Sequence, residues 1–323
     1  MKAMMYKKYG APDVLALKEI EKPSPKDIEV LVKVHAASLN AADWRLMRAD
    51  PFLVRLHCGL LKPKFRILGA DIAGRVEAVG KDVSLFQPGD EVFGDVFASG
   101  FGGFAEYKCA RESELVLKPC AISFDEAAAV PLAALTALHG LRDKGQIQPG
   151  QKVLINGASG GVGTFAVQLA RYFGAEVTAV CSTGKMDMAR SLGADHVIDY
   201  TQEDFTRSGK QYNLILAVNG CCSIFDYKRA LTPRGIYVMA GGTTTQLFQA
   251  LLLGPLLSMA GNKKMGALTS TPNRKDLLFM AELLKSGTIK PVIDRRYMLC
   301  ELPEALRYLE QGHAKGKVVI RTK

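Results

Sequence analysis

The run Gly157-Ala158-Ser159-Gly160-Gly161-Val162-Gly163 carries the clearest chemical potential in this chain. Its glycines let a backbone turn sharply and come close to a charged group. It stands between an apolar run, KVLIN (152–156), and a stretch of helical periodicity, 164–173. A pyrophosphate resting on a helix amino terminus is the ligand such a turn accommodates. The setting counts for more than the glycine pattern, because strand, turn and helix together form a βαβ unit. A ligand-free tight turn would need the glycines but not that setting.

Charge points to one dinucleotide over the other. An NAD-binding unit usually closes its second strand with Asp or Glu, which accepts hydrogen bonds from the ribose hydroxyls. Here the second strand, 176–180, runs into Cys181-Ser182-Thr183-Gly184-Lys185, with no carboxylate at its tip. A hydroxyl pair and a lysine would instead receive a 2′-phosphate through charge-assisted hydrogen bonds, so NADPH is expected. Lys185 also has a plain reading as a surface lysine at a helix start. Val218-Asn219-Gly220 and Ala240-Gly241-Gly242 follow two further apolar runs, LILAV and IYVMAG, and are expected at the carboxyl edge of a parallel sheet, where cofactors bind.

The elements that must position these residues follow from the texture of the chain. The first 120 or so residues read as short strands joined by turns, among them EVLVKVHAAS (29–38), DIAGRVEAVG (71–80) and EVFG (91–94), as in an antiparallel, barrel-like domain. At Ser123 the pattern changes, since Ser123 and Glu126 have capping-box spacing before an Ala-rich helical run. From 152 strands and helices alternate, with continuously apolar strands such as LILAV and IYVMAG. Helices over 275–286 and 304–311 and a last strand, KVVIR, return to the first texture. This order predicts an α/β fold in which a doubly wound nucleotide-binding domain, 124–270, is inserted between 1–123 and 271–323 of a β-rich domain.

Bulk properties exclude several function classes. The chain has 323 residues, 48% hydrophobic and 23% charged, which suits globular domains with sizeable cores. No apolar run has the length of a membrane span; the longest, 247–260, is broken by Gly254-Pro255 and is expected to pack in the core or against another subunit. A lid over a lipophilic acceptor and a membrane-touching patch are the other readings of that run. Seven scattered cysteines without CxxC spacing indicate neither a disulfide framework nor a zinc finger, and a cytoplasmic setting is expected. The net charge of +10 fits phosphate attraction plus solvated surface; without an arginine-rich run, nucleic acid is not expected as a partner.

Taken together, ASLNAADW (37–44), ILGADIAGRVEAVG (67–80), PGDEVFG (88–94), NGASGGVG (156–163), LGADHVIDY (192–200) and HAKGKVVI (313–320) resemble the quinone-oxidoreductase branch of the medium-chain dehydrogenases. The resemblance covers nearly the whole chain in order. It implies a GroES-like catalytic domain, a Rossmann domain and an active site in the cleft between them. It also implies that Thr136 lies near the nicotinamide, and that Asn40 and Asp43 orient the substrate. Both polar residues have structural readings too, Asn40 as a turn cap and Asp43 as a cap of the next helix. Tyr200 would flank the 2′-phosphate or the adenosine, or simply end its strand, and Lys317 would approach the cofactor or merely begin the last strand. Relatives pair the edge strand that MGALTS (265–270) resembles between subunits, which implies a homodimer.

The departures from the superfamily are informative. Where zinc-dependent members carry Cys and His, this chain has Asn40 and Ala70, and no four-cysteine lobe lies in 94–111. Zinc needs three or four converging ligands, so no metal is expected. Without a Lewis acid, hydride delivery suits acceptors that spread the arriving charge themselves. The expected activity is NADPH-dependent reduction of a quinone or an α,β-unsaturated carbonyl. A 2-enoyl-thioester reductase is the alternative enzyme, although 45–53 lacks the tyrosine proton donor of such relatives. A dinucleotide-regulated protein that binds RNA or a membrane surface, with weak catalysis, is the alternative of another class.

Overall fold

The computed structural model describes residues 1–220 and 222–322. The chain divides into two compact units: Met1–Leu132 with Pro272–Gly287 and Pro291–Lys323, and Ala133–Thr271 with Thr288–Lys290.

The first unit is built around one long strand, Glu29–Ser38. One edge of it pairs antiparallel with Asp71–Val79 along most of its length. The opposite edge is shared, Tyr107–Arg111 taking residues 29–33 and the final strand, Lys317–Arg321, taking 36–38. Glu91–Asp95 and Leu115–Leu117 extend the sheet beyond Asp71–Val79, and Ile293–Met298 extends it beyond the final strand. Two apolar clusters fill this unit. One gathers Val30, Val32, Val34, Ile72, Val76 and Val92, and the other packs Met4, Leu39, Met47, Phe104, Leu302 and Val318.

The second unit carries a six-stranded, all-parallel sheet in the order His196–Asp199, Glu176–Cys181, Lys152–Asn156, Tyr212–Ala217, Leu231–Met239, Lys264–Ala267. The chain winds outward in both directions from Lys152–Asn156, so the strand order reverses between it and Tyr212–Ala217. The strands are apolar because both faces of such a sheet are covered. The expected edge strand within 265–270 is present as Lys264–Ala267, paired on one side only among the described residues.

Two expectations are refined. Ser123 caps its helix as predicted, its hydroxyl accepting from the Glu126 N–H at 3.2 Å, but that helix, Phe124–Ala128, belongs to the first unit. There Phe124 stacks on His35, and the Asp125 carboxylate accepts from Arg296 at 2.7 Å and Arg321 at 3.1 Å. The division between units therefore falls after Leu132 and not at 123/124. The run 247–260 is helical in three consecutive pieces, Thr244–Phe248, Gln249–Leu253 and Gly254–Met259. Its Leu247, Ala250, Leu253 and Leu257 pack on the core, while Phe248, Leu251, Leu252, Leu256 and Met259 face out.

A buried ionic cluster joins the first and last chain pieces of the first unit. The final strand runs antiparallel to Glu29–Ser38, so Lys317 comes level with the residues just past Ser38. Its ammonium, only 2% exposed, donates to the Leu39 carbonyl at 3.0 Å, to Asn40 Oδ1 at 2.6 Å and to Asp71 Oδ2 at 3.3 Å. Ser38 Oγ donates to the same Asp71 oxygen at 2.7 Å, and the Leu132 N–H donates to the other at 2.8 Å. Asp43 and Asp95 are buried close by, so three carboxylates share one ammonium. Burial, with repulsion from Asp71, pushes both Asp43 and Asp95 up to about 7, against the opposing pull of backbone hydrogen bonds and Lys317.

The sign of the pH effect follows. A carboxyl raised in the folded state binds its proton more tightly there than in the unfolded chain, so stability is lost as pH rises through about 7. Asp95 Oδ1 accepts from the Phe97 N–H at 2.8 Å, whereas Oδ2 has no hydrogen-bond partner among the described residues. Asp95→Asn keeps that acceptor and removes a buried like charge. We expect its Tm at about pH 8 to exceed that of the parent by about 2–4 °C, the size of a roughly 1 kcal/mol gain, with the difference shrinking at about pH 5.5. Equal melting curves for both proteins at the two pH values would refute this.

Candidate active site

The register of the parallel sheet lines up the residues at its carboxyl edge. Asn156 is level with Val180 on one side and Ala217 on the other, Cys181 is level with Asp199, and Ala217 with Met239. The residues that follow these positions leave the sheet along one rim, and they include the predicted Gly157, Ser182, Tyr200, Val218 and Ala240. Backbone bonds tie the exits together. The N–H groups of Gly157 and Ala158 donate to the Val180 carbonyl at 3.2 and 3.1 Å, and those of Val218 and Asn219 to that of Asn156 at 2.9 and 3.2 Å. The N–H groups of Ala240 and Gly241 donate to the Ala217 carbonyl at 2.8 and 3.1 Å, and Gly220 bridges to Gly242.

The glycine-rich turn has the shape that its sequence requires. Gly157 adopts φ +88°, and a Cβ there would lie 2.8 Å from the Asn219 nitrogen. A Cβ on Gly163 would lie 2.1 Å from the Gly157 carbonyl oxygen, so the helix start and the turn can touch only through glycine. The helix Gly161–Tyr172 has Gly160 at its N-cap, and its first internal bond is from Thr164 N–H to the Gly160 carbonyl at 2.9 Å. The N–H groups of Gly161, Val162 and Gly163 precede that bond and are the orphan donors on which an anion rests. Ala158 and Ser159 are buried in the turn, and Gly160, Gly161 and Val162 are half-buried at its outer side. The turn fits the pyrophosphate of a dinucleotide, at the point where the strand order reverses.

Beyond the second strand the structure adds a residue that the sequence reading passed over. Cys181 is buried at the strand end, and Thr183–Lys185 form a single 3₁₀ turn after Ser182. The Thr183 hydroxyl donates to Asp199, which also accepts from Thr201 Oγ1 at 2.7 Å and the Thr201 N–H at 2.9 Å. These bonds, that from Thr183 foremost, hold the Asp199 carboxyl below the usual range. A carboxylate is thus present beside the end of the second strand, on its neighbour, with both of its oxygens engaged by Thr183 and Thr201. It also commits the one hydroxyl proton of Thr183. Ser182 and Lys185 are half-buried, and Tyr200 is exposed.

Thr136 lies half-buried on the helix Pro131–Leu138. In the first unit Asn40 is the N-cap of the helix Ala41–Arg48, and its backbone N–H donates to Asp43 Oδ2 at 2.7 Å. The other Asp43 oxygen accepts from the Gly69 N–H at 3.0 Å, so this carboxylate closes the helix start, as its structural reading anticipated. The Asn40 amide does not cap; it donates to Asp71 Oδ2 at 2.9 Å and accepts from Lys317. Lys317 does begin the last strand, yet its side chain is the centre of the buried cluster. Asp71, Ser38, Asp95 and Asp199 were not singled out from the sequence. Asp71 carried a signal, a lone carboxylate in the otherwise uncharged run ILGADIAG.

The positions that hold Cys and His in zinc-dependent relatives are Asn40 and a buried Ala70. An ammonium 2.6 Å from Asn40 Oδ1 would repel a divalent cation at that place, so these residues do not fit zinc.

Comparison with known proteins agrees with this architecture. Residues 26–120 match the alcohol dehydrogenase GroES-like domain, and residues 192–320 match a family described as zinc-binding dehydrogenase. The chain is 35% identical to the chloroplastic quinone-oxidoreductase QR1 of Triphysaria versicolor, covering 99% of this chain and 98% of that one. It is 35% identical to the 2-methylene-furan-3-one reductase of Solanum lycopersicum, over 99% of this chain and 79% of the relative. The solved quinone oxidoreductase of Coxiella burnetii superposes with a TM-score of 0.89 at 30% identity, covering 100% of this chain and 99% of that one. With a GroES-like domain, a parallel-sheet rim shaped for a nicotinamide dinucleotide and relatives matched end to end, the chain belongs to the quinone oxidoreductase family of the medium-chain dehydrogenases/reductases, and it is an oxidoreductase.

Proposed function

We propose that this protein uses NADPH to reduce quinones or α,β-unsaturated carbonyls, without zinc. The observation that carries the reading is the sheet rim, where the glycine turn and its orphan N–H groups meet a second strand that ends in Ser182 and Lys185 with its nearby carboxylate engaged by Thr183 and Thr201. The bound dinucleotide supplies the hydride. Gly157 to Val162 cradle its pyrophosphate, with Val218 to Gly220 and Ala240 to Gly242 beside them on the same rim. Ser182 and Lys185 receive the 2′-phosphate, and Cys181, Thr183 and Tyr200 shape the surroundings. Thr183 can take part only through its backbone or as an acceptor, because Asp199 holds its proton. Thr136 faces the nicotinamide, a role that rests on the family resemblance. Lys317 acts indirectly, by holding Asn40 and the start of the Asp43 helix in place.

The substrate class follows from charge. With no metal at Asn40 and Ala70, the acceptor itself must spread the charge that arrives with a hydride, and a conjugated carbonyl does so. The Solanum relative carries such a group in its name, a methylene conjugated to a ketone. A homodimer through the outer edge of Lys264–Ala267 is part of this reading, supported by the unpaired strand and by the apolar face of Phe248, Leu251, Leu252, Leu256 and Met259. The scattered cysteines support a reducing, cytoplasmic setting.

Stopped-flow NADPH oxidation against small quinones, enones and enoyl-thioesters, with NADH in parallel, tests the reading. Turnover of quinones or enones with NADPH preferred is expected, and Lys185→Ala should lower kcat/KM for NADPH about tenfold, the worth of one charge-assisted hydrogen bond, while leaving NADH unchanged. Equal use of both dinucleotides by the parent refutes the cofactor assignment, and turnover confined to thioesters refutes the substrate class. Light scattering should give twice the chain mass; a concentration-independent monomer refutes the dimer.

A further inference from the structure

The loop region that follows the helix Ala41–Arg48, which includes the short turns Phe52–Val54 and Arg55–Cys58, combines exposed apolar side chains with unpaired basic ones. Phe52, Leu53, Leu56, Leu60 and Leu61 all project from it, with Phe52 63%, Leu56 73% and Leu61 86% exposed. Single exposed leucines need no explanation, but five large apolar side chains within one short loop form a patch of the kind that marks an interaction surface. The loop is also uniformly basic. Between Asp50 and Asp71 the chain carries Arg55, Lys62, Lys64 and Arg66 and no carboxylate. Among the described residues none of these four cations pairs with a carboxylate, and Lys62, Lys64 and Arg66 are exposed.

This display is held in place. The Tyr9 hydroxyl shares its one proton between the carbonyls of Cys58 at 2.8 Å and Gly59 at 2.7 Å, and the Lys64 N–H donates to the Cys58 carbonyl at 2.7 Å. Cys58 and Pro63 are buried beneath the loop, and the Arg55 guanidinium lies between the rings of Tyr9 and Phe52, at 4.7 and 5.0 Å. Inward anchors thus fix the backbone while apolar side chains from 52 to 61 and the cations at 62, 64 and 66 face outward.

We propose that this loop docks the protein on an anionic lipid bilayer, its leucines and Phe52 entering the headgroup boundary and Lys62, Lys64 and Arg66 meeting lipid phosphates. Shallow insertion of apolar side chains flanked by cations is the chemistry of interfacial binding. Charge decides against a second copy as the occupant, because two such loops face to face would bring their unpaired cations together. The apolar face at 248–259 differs on this point: it has no charged residue and adjoins an unpaired strand, as a self-interface requires.

Vesicle co-sedimentation of the full chain tests the proposal, with phosphatidylcholine alone against the same lipid carrying about one-third phosphatidylserine. Binding to the anionic vesicles, weakened by raising salt from about 0.05 to about 0.5 M, is expected. Lys62→Glu with Lys64→Glu should lower partitioning roughly thirtyfold or more, each basic residue near the surface counting about fivefold. Lys18→Glu with Lys210→Glu changes two other exposed lysines and leaves the same net charge, so it separates the loop from the overall charge of +10. It should bind far better than the loop variant. Leu56→Ser with Leu61→Ser should also lose binding, with unchanged Tm showing that the fold is intact. Equal binding by the two charge-reversed proteins, no binding of the parent at low salt, or a leucine variant that changes mass in light scattering but not vesicle binding would each overturn the proposal.

Discussion

The ion pair of Lys317 with Asp71 is the interaction on which the first unit depends. It joins the last strand to the strands 29–38 and 71–79, and so closes a domain assembled from separate stretches of chain. Both groups are almost fully buried, and burial of charge is tolerated only with complete hydrogen bonding. Lys317 meets that condition with three acceptors, and Asp71 with donors from Ser38, Asn40 and the Leu132 backbone. Removing one partner strands the other in an apolar setting, which typically costs 3–5 kcal/mol. Asp43 and Asp95 then answer to the same ammonium, and their raised proton affinity comes first from burial, with repulsion from Asp71 added.

The same pair fixes Asn40, which stands where zinc-dependent relatives carry Cys. An amide and an ammonium stand at the Asn40 position, where a metal would need anionic or imidazole ligands. The cation is covalently part of the chain and is buried, so it orders the loop around Asn40 and the start of the Asp43 helix. In the second unit the organising constraint is different. Parallel strands joined by helices must all end at one edge, so every loop that follows a strand emerges on the same rim. The glycine turn, Ser182, Val218 and Ala240 share that rim because of topology, although up to about 80 residues separate them in sequence.

The two exposed apolar surfaces illustrate how charge distinguishes partners of similar hydrophobicity. Leucines stand out on both, but only the loop at 52–66 surrounds them with unpaired cations. An uncharged apolar face beside an open strand edge favours a copy of itself, and a cationic one favours an anionic surface.

The sequence by itself determined the local pieces: the glycine turn between strand and helix, the apolar parallel strands, the cap at Ser123 and the absence of zinc ligands at Asn40 and Ala70. Each of these is written in neighbouring residues, through periodicity, capping geometry or a missing side chain. Only the tertiary structure decided what depends on residues distant in the chain. Asp199 lies level with Cys181 through strand pairing and claims the Thr183 proton, which no reading of the second strand alone could show. From the sequence Lys317 reads as a plain strand start or as a cofactor contact, and its burial against Asp71 and Asn40 arises because the last strand returns to the edge of Glu29–Ser38. Helix 124–128 followed its capping box but joined the first unit, since its carboxylate finds arginines near the far end of the chain. Local order is encoded by adjacent residues, whereas burial and pairing of charge are settled only when distant segments meet.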